Sequence, residues 1–232
     1  MQQNPFQWEH PKAMLYNDTI RKRIAGYELL FDLNLDILSA EQLHENNRVL
    51  LVGAGGGQEI CAFSKKFPKN HYVAVDPSEN MLELAKIRLQ HEELSPSLEI
   101  FADQLQNIQF EEPFNVATCH LVLHFIEHLE DKRSLLNSIA NNLQPGALFF
   151  LSSINADTAS PNHQQLMNYW QHTMLNNGIT EREWNHFAAS FDDTLHAIPL
   201  DQLIELLQEA GFTNITPYFK THLVDGVMMT KE

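Results

Sequence analysis

Gly53-Ala54-Gly55-Gly56-Gly57 follows directly on the apolar run Arg48-Val49-Leu50-Leu51-Val52, and a helical pattern begins at Gln58. Strand, glycines and helix start come in the order that a nucleoside-binding site needs. Glycine lets the backbone turn tightly and lets a ligand approach without a Cβ in the way. A second apolar run, Tyr72 to Val75, ends at Asp76. An acid about 20 residues after the loop can accept hydrogen bonds from both ribose hydroxyls. Dinucleotide folds share this layout but carry G-x-G-x-x-G. The third fingerprint position here is Gln58. A pyrophosphate needs close approach at that point, so a nicotinamide dinucleotide is the weaker expectation.

The histidines form the second group. His120, His124 and His128 recur every four residues. On one helix they would share a face and could hold a metal. A strand is expected to end near Cys119, so the run is not read as one helix and no metal is expected. His120 alone is the candidate general base. Tyr169, Trp170, Met174, Trp184, His186 and Phe187 form an aromatic-rich group further on. They could line an acceptor pocket or a lid that excludes water; equally, they could pack on one another. Tyr16 and Tyr27 could close the ligand site from the other side.

The elements that must position these groups read as follows. Apolar runs alternate with helical patterns, the signature of a parallel sheet. Strands are expected at 48–52, 72–75, 98–101, 115–119 and 147–151. Helices are expected at 58–67, from Pro77-Ser78 onward, and over 132–143, closed by Pro145-Gly146. Ser78 is a plausible N-cap. Residues 155–199 break the pattern and read as an insertion or lid, with helices at 162–175 and 181–191. A helix over 200–210 and two strands, 215–220 and 222–229, complete the chain. That last pair is too closely spaced for a crossover, so it must be antiparallel. Thr19–Leu38 reads as one amphipathic helix. The expected fold is a single Rossmann-like α/β domain: a seven-stranded, mostly parallel sheet with an antiparallel last strand, helices on both faces and a helical lid. Its parts are an N-terminal helical segment (1–45), a core (46–154), the insertion (155–199) and a C-terminal part (200–232).

The chain has 232 residues and a net charge of −15 with histidines neutral. A phosphate backbone would repel that field, which disfavours bulk nucleic acid and anionic membranes. No apolar run approaches the ~18 residues of a membrane span. The early polar residues, Glu9 and His10 among them, do not read as a signal peptide. Cys61 and Cys119 are isolated in apolar contexts, which makes neither a disulfide framework nor a zinc site. A reducing, cytoplasmic setting is expected.

Over roughly residues 45–155 the chain resembles class I S-adenosylmethionine-dependent methyltransferases. The resemblance rests on LLVGAGGGQE, VAVDPSENML, FADQLQNIQFEEPFNVATCHLVLHFIE and LQPGALFFLSS. It implies S-adenosylmethionine as cofactor. Gly53, Ala54, Gly55 and Gly57 would line its methionyl and ribose portion, and Asp76 would hold the ribose hydroxyls. Pro77 and Met81 would flank the adenine; Ala102 and Asp103 would meet its edge. Cys119, His120 and Leu121 would lie beside the methyl group. The implied reaction is in-line methyl transfer to a small-molecule acceptor. A non-catalytic cofactor-binding protein is the bland alternative, and an exposed aromatic lid could serve a homodimer contact.

Ile20-Arg21-Lys22-Arg23-Ile24-Ala25-Gly26-Tyr27 and the insertion are also similar in layout to carboxy-S-adenosylmethionine synthases, enzymes of tRNA wobble-uridine modification. That family uses an arginine of its insertion for the cofactor's added carboxylate. Here no arginine follows Arg182. Asp192 and Asp193 would repel a carboxylate. The departure favours ordinary S-adenosylmethionine.

Overall fold

The structure is a computed structural model that describes residues 16–43 and 45–232, without the side chains of residues 16–18 and 192. Two helices lead, α1 (Tyr16–Arg23) and α2 (Tyr27–Ala40). The sheet and its helices follow as β1 (Arg48–Val52), α3 (Gln58–Lys66), β2 (His71–Val75), α4 (Glu79–His91), β3 (Ser97–Phe101), β4 (Phe114–His120), α5 (Leu129–Asn142) and β5 (Leu143–Ile154). The insertion carries α6 (His163–Asn176) and α7 (Glu181–Ala189). Then come α8 (Leu200–Glu209), β6 (Phe212–Thr221) and β7 (Val224–Lys231).

The seven strands lie in the order β3-β2-β1-β4-β5-β7-β6. β1 to β5 pair in parallel, and β7 runs antiparallel to both β5 and β6. The chain therefore winds outward from β1 to one edge and then restarts on the other side of β1 with β4. In such open sheets, ligands bind beyond the carboxyl ends of the strands at this reversal point. Here those ends are Val52 and His120.

β1 is buried along almost its whole length. A strand apolar on both faces needs a layer on each side. One layer places α5 and α8 against Leu50, Val73, Ala117 and Leu151. The other places α2, α3 and α4 against Leu51, Tyr72, Ala74 and Phe150. A third apolar cluster sits past the strand ends, where α1 and α2 meet the insertion.

Local sequence sets the boundaries. Ser78 caps α4, its Oγ accepting from the Met81 amide at 3.2 Å. Thr180 and Glu183 form a reciprocal capping box on α7. Two expectations change. Thr19–Leu38 is two helices and not one, because Gly26 sits at φ 76° and turns the chain between α1 and α2. β5 begins at Leu143, and Pro145-Gly146 lies within it where the pairing with β4 shifts register.

Candidate functional site

The loop after β1 is bound to the end of β2. The Val75 carbonyl accepts from the amides of Gly53 at 2.8 Å and Ala54 at 3.2 Å. Asp76 then crosses to the loop: its Oδ2 accepts from the Gly55 amide and its Oδ1 from the Ser78 amide, both at 2.9 Å. A carboxylate has about four lone-pair positions, so these two amides do not exhaust its capacity to accept. An ideal Cβ on Gly55 would meet nothing closer than Met81 Cε at 3.6 Å. Gly55 also lines a cavity of about 490 Å³, so a side chain there would occupy space that a ligand can use.

The end of β4 meets a buried polar cluster. Successive strand residues point to opposite faces. Cys119 therefore packs into the layer under α5 and α8, while Thr118 and His120 face α2 and α3. His120 Nε2 lies 2.7 Å from Asn34 Nδ2, and its Nδ1 lies 3.0 Å from Ser152 Oγ. With the amide so oriented, Nε2 accepts and the ring proton sits on Nδ1. Burial pushes the His120 imidazolium down to about 3. A neutral ring with both nitrogens engaged is a weak general base.

Glu59, on the first turn of α3, lies under the same ring with Oε1 at 3.6 Å from His120 Nε2. Burial pushes its carboxyl up to about 7, and the Thr118 hydroxyl acts in the opposite sense. Because His120 is neutral, this is no ion pair. Glu59 Oε1 and Asn34 Oδ1 are both buried without a hydrogen-bond partner. Phe31 packs edge-on against His120, with ring centroids 5.7 Å apart.

The segment after β4 is constrained. Leu121 holds φ 59°, a region that costs a side-chain-bearing residue about 1–2 kcal/mol. Its amide bonds to the Ser152 carbonyl at 2.8 Å. Below it, the buried Lys132 Nζ donates to the carbonyls of Leu123 and Ile126, each at 2.5 Å. Burial lowers the Lys132 ammonium to about 8. These bonds fix the turn that presents Leu121, Val122, Phe125, Ile126 and Glu127 to the cavity.

Of the sequence-derived residues, Gly53, Ala54, Gly55, Asp76, Pro77, Met81, Asp103, His120, Leu121 and Tyr27 all line this one cavity. Asp103 is exposed, and its Oδ1 accepts from Asn107 Nδ2 and the Gln104 amide, both at 2.7 Å. The Asn107 bond and the Gln104 amide hold its carboxyl below the ordinary range.

Several expectations need correction. Gly57 does not face the cavity but packs on α4. Ala102 is exposed at the end of the edge strand β3 and outside the cavity lining. Cys119 is fully buried on the opposite face of β4. Tyr169, Trp170, Met174, Trp184 and His186 do not line the cavity. Trp170, Met174 and Trp184 turn inward from α6 and α7 into the third apolar cluster with Phe187. Trp170 stacks on His222 at 5.8 Å and donates from Nε1 to the Arg23 carbonyl at 2.6 Å. Tyr169 is 55% exposed. Asp193 is exposed and outside the cavity lining. The side chains of Tyr16 and Asp192, and the N-terminal stretch with Glu9 and His10, lie outside the described residues. The histidine run is split: His120 ends β4, His124 is buried in a 3-10 turn and His128 precedes α5.

Phe31, Asn34 and Glu59 were missed. The signal existed. Glu59 shares the stripe of Ile60, Phe63 and Phe67, and Asn34 shares that of Leu30, Phe31, Leu35 and Leu38. A polar residue on an apolar stripe is a buried polar residue.

The comparisons with known proteins fit this layout. Residues 22–216 match the sequence model described as "Methyltransferase domain". The chain belongs to the methyltransferase domain family. With that, it is an S-adenosylmethionine-dependent methyltransferase, and S-adenosylmethionine is its cofactor. The methyltransferase is 25% identical over its full length, and over the relative's full length, to a carboxy-S-adenosyl-L-methionine synthase of Staphylococcus epidermidis. A relative of the same name from Pseudoalteromonas atlantica is 24% identical, over 94% of this chain and 90% of its own. Among solved structures, a putative O-methyltransferase from Nostoc punctiforme aligns with TM-score 0.68 and 14% identity, over 96% of this chain and 61% of that one. The methyltransferase thus spans less than two thirds of that protein. The N-methyltransferase NodS of Bradyrhizobium japonicum, solved with S-adenosyl-l-homocysteine, aligns with TM-score 0.56 and 12% identity, over 99% and 92% of the two chains. At these identities the structural likeness concerns the fold. Among the described residues, no helix is long and apolar enough to cross a membrane.

Proposed function

We propose that this enzyme transfers a methyl group to a small-molecule acceptor held beside the end of β4. The observation that carries the reading is one cavity joining the loop after β1, Asp76 and the His120–Leu121 strand end. S-Adenosylmethionine, when bound, supplies a methyl carbon already activated by a sulfonium. The protein's own work is then to bind, orient and exclude water. Positioning alone can supply about 7–11 kcal/mol of such a barrier in favourable cases.

Gly53, Ala54 and Gly55 would face the methionyl and ribose portion, and Asp76 would hold the ribose hydroxyls. Pro77 and Met81 would flank the adenine, with Asp103 near its edge. Tyr27 and Phe31 from α2 form an apolar wall on the side of His120. His120 itself is held by Asn34 and Ser152, which suits a residue that shapes the pocket rather than one that takes a proton. The whole cavity measures about 490 Å³ and must also admit the cofactor, so the acceptor is small. Calorimetry with S-adenosylhomocysteine tests the reading; absence of binding at millimolar ligand removes it.

A second reading has an observation in its favour: the full-length relatives named carboxy-S-adenosyl-L-methionine synthase. Its product carries an added carboxylate. No lysine or arginine lines the cavity among the described residues, so that carboxylate would lack a cationic partner. Mass spectrometry of the nucleoside that co-purifies with the protein discriminates: a species heavier by one carboxyl group favours the second reading.

A further inference from the structure

We propose that the acceptor is a cationic amine, recognised and deprotonated by Glu59 in an aromatic recess between α2 and the end of β4. This rests on the methyltransferase reading above and names its substrate class.

The charge on the cavity wall is one-sided. Glu59, Asp76, Asp103, Glu127 and Asp131 line it, and no lysine or arginine does among the described residues. Asp76 is committed to the glycine loop and Asp103 to the turn that follows it. Glu59 differs from both. It is 6% exposed, and its Oε1 has no hydrogen-bond partner. Among the described residues, the groups around it supply no positive charge. His120 is neutral, and Cys119 and Tyr218 are neutral acids whose own ionisation burial opposes. Asn34 and Thr118 are uncharged. A buried carboxylate left without a partner is costly. Glu59 nevertheless lines the cavity, so a ligand ammonium on that side supplies the positive charge that its surroundings lack.

The walls beside Glu59 suit the same ligand. Tyr27, Phe31 and Phe125 line the cavity, and Tyr27 and Phe31 pack edge-on at 5.1 Å. Aromatic faces with a carboxylate attract organic cations. An anionic acceptor would meet only like charge.

The chemistry balances. An ammonium has no lone pair and must lose a proton before attack. Its N–H proton passes to the Glu59 carboxylate, giving the carboxylic acid and a neutral amine. The freed lone pair forms the new N–C bond while the electrons of the S–C bond go to sulfur. The products are the N-methylated ammonium and S-adenosylhomocysteine; Glu59 then returns its proton to water.

The test is calorimetry on the full chain loaded with S-adenosylhomocysteine. The probes are 2-phenylethylamine, 2-phenylethanol and 3-phenylpropanoate, alike in size and different in charge. The amine is expected to bind about tenfold more tightly than the alcohol, and the carboxylate most weakly. Glu59→Gln should abolish the gap between amine and alcohol while S-adenosylhomocysteine still binds. Equal binding of amine and alcohol, or tighter binding of the carboxylate, overturns the proposal. So does an equal loss of S-adenosylhomocysteine affinity in Glu59→Gln, because the carboxylate would then serve the amino group of the cofactor. Should that variant fail to fold, the three-probe comparison on the unmodified protein decides alone. Failure of S-adenosylhomocysteine to bind the unmodified protein overturns the methyltransferase reading itself, and this proposal with it.

Discussion

Gly57→Ala separates a glycine needed for packing from one that faces a ligand. Gly57 caps α3 at φ 79° and ψ 12°, a left-handed conformation. Its absent Cβ would lie 2.7 Å from Ala85 Cα and 2.8 Å from Ala85 Cβ. Those atoms belong to the buried face of α4, so a new methyl has to push one helix off another. The left-handed conformation costs alanine about 1–2 kcal/mol. Overpacking a close helix contact adds about 1–3 kcal/mol. The sum is about 2–5 kcal/mol, or a fall in melting temperature of roughly 4–20 °C for a domain of this size. Gly55→Ala is the control. There the nearest atoms lie at 3.6 and 3.7 Å, so backbone strain is the whole cost to stability, but the methyl points into the cavity. Urea unfolding followed by circular dichroism should show the Gly57 variant as clearly the less stable. Calorimetry with S-adenosylhomocysteine should show the Gly55 variant as the weaker binder once both are folded. Equal midpoints for Gly57→Ala and the unmodified protein, or the reverse ordering, would refute the packing argument.

Asp76→Asn removes a charge that accepts from the Gly55 and Ser78 amides and faces the ribose position. Each charge-assisted hydrogen bond lost weakens binding by about 1.5–3 kcal/mol, so S-adenosylhomocysteine affinity should fall at least tenfold by calorimetry. Glu59→Gln should change stability in a pH-dependent way. The Glu59 carboxyl titrates at about 7 in the fold against 4.5 ordinarily, so the native state holds the extra proton between these values and loses stability as pH rises through them. Urea midpoints should show the Gln variant more stable at pH 8 by up to about 3 kcal/mol, and near-equal at pH 4.5. His120 and His124, lowered to about 3, weaken the fold as pH falls from 6.5, but equally in both proteins. Trp170→Phe deletes the bond to the Arg23 carbonyl and should cost about 1–3 kcal/mol in thermal unfolding. Its S-adenosylhomocysteine affinity should stay unchanged, since Trp170 lies outside the cavity lining; a large loss would restore it to the ligand site.

The parts of the fold that were legible are those written in local sequence. β1 is an uninterrupted apolar run ended by glycines, Ser78 caps the helix that follows β2, and the last two strands are too close for a crossover. Each is decided within about ten residues, and each appears in the structure. Asp76 and Gly55 were legible for the same reason, because the loop and the strand end that hold them are consecutive pieces of one βαβ unit. The failures share another cause: they depend on which way a side chain faces in three dimensions. A string of glycines does not reveal which Cα abuts Ala85, so Gly57 looks the same in sequence as the glycines that face the cavity. Cys119 and His120 are neighbours in sequence, yet the two-residue period of β4 sends them to opposite layers. The aromatics of α6 and α7 looked like a pocket because nothing in their own segment shows that α1, α2 and the β6–β7 turn would cover them. Trp170 is satisfied by the Arg23 carbonyl, 147 residues earlier in the chain.

Glu59 is the instructive case, since stability and function pull it in opposite directions. A glutamate on the stripe of Ile60 and Phe63 is a poor choice for packing, and burial raises its carboxyl to about 7. The Thr118 hydroxyl offsets only part of that cost: the nearest ring is neutral and Oε1 has no hydrogen-bond partner. A fold optimised for stability alone would place a glutamine or an apolar residue there. A residue whose burial costs the protein, at the wall of the cavity that joins the glycine loop to the end of β4, therefore points to a ligand that makes the burial useful. The same feature explains why the residue escaped the sequence reading. The glycine loop announces itself by composition, whereas the worth of Glu59 lies in the partner it lacks, and only the packed structure shows that lack.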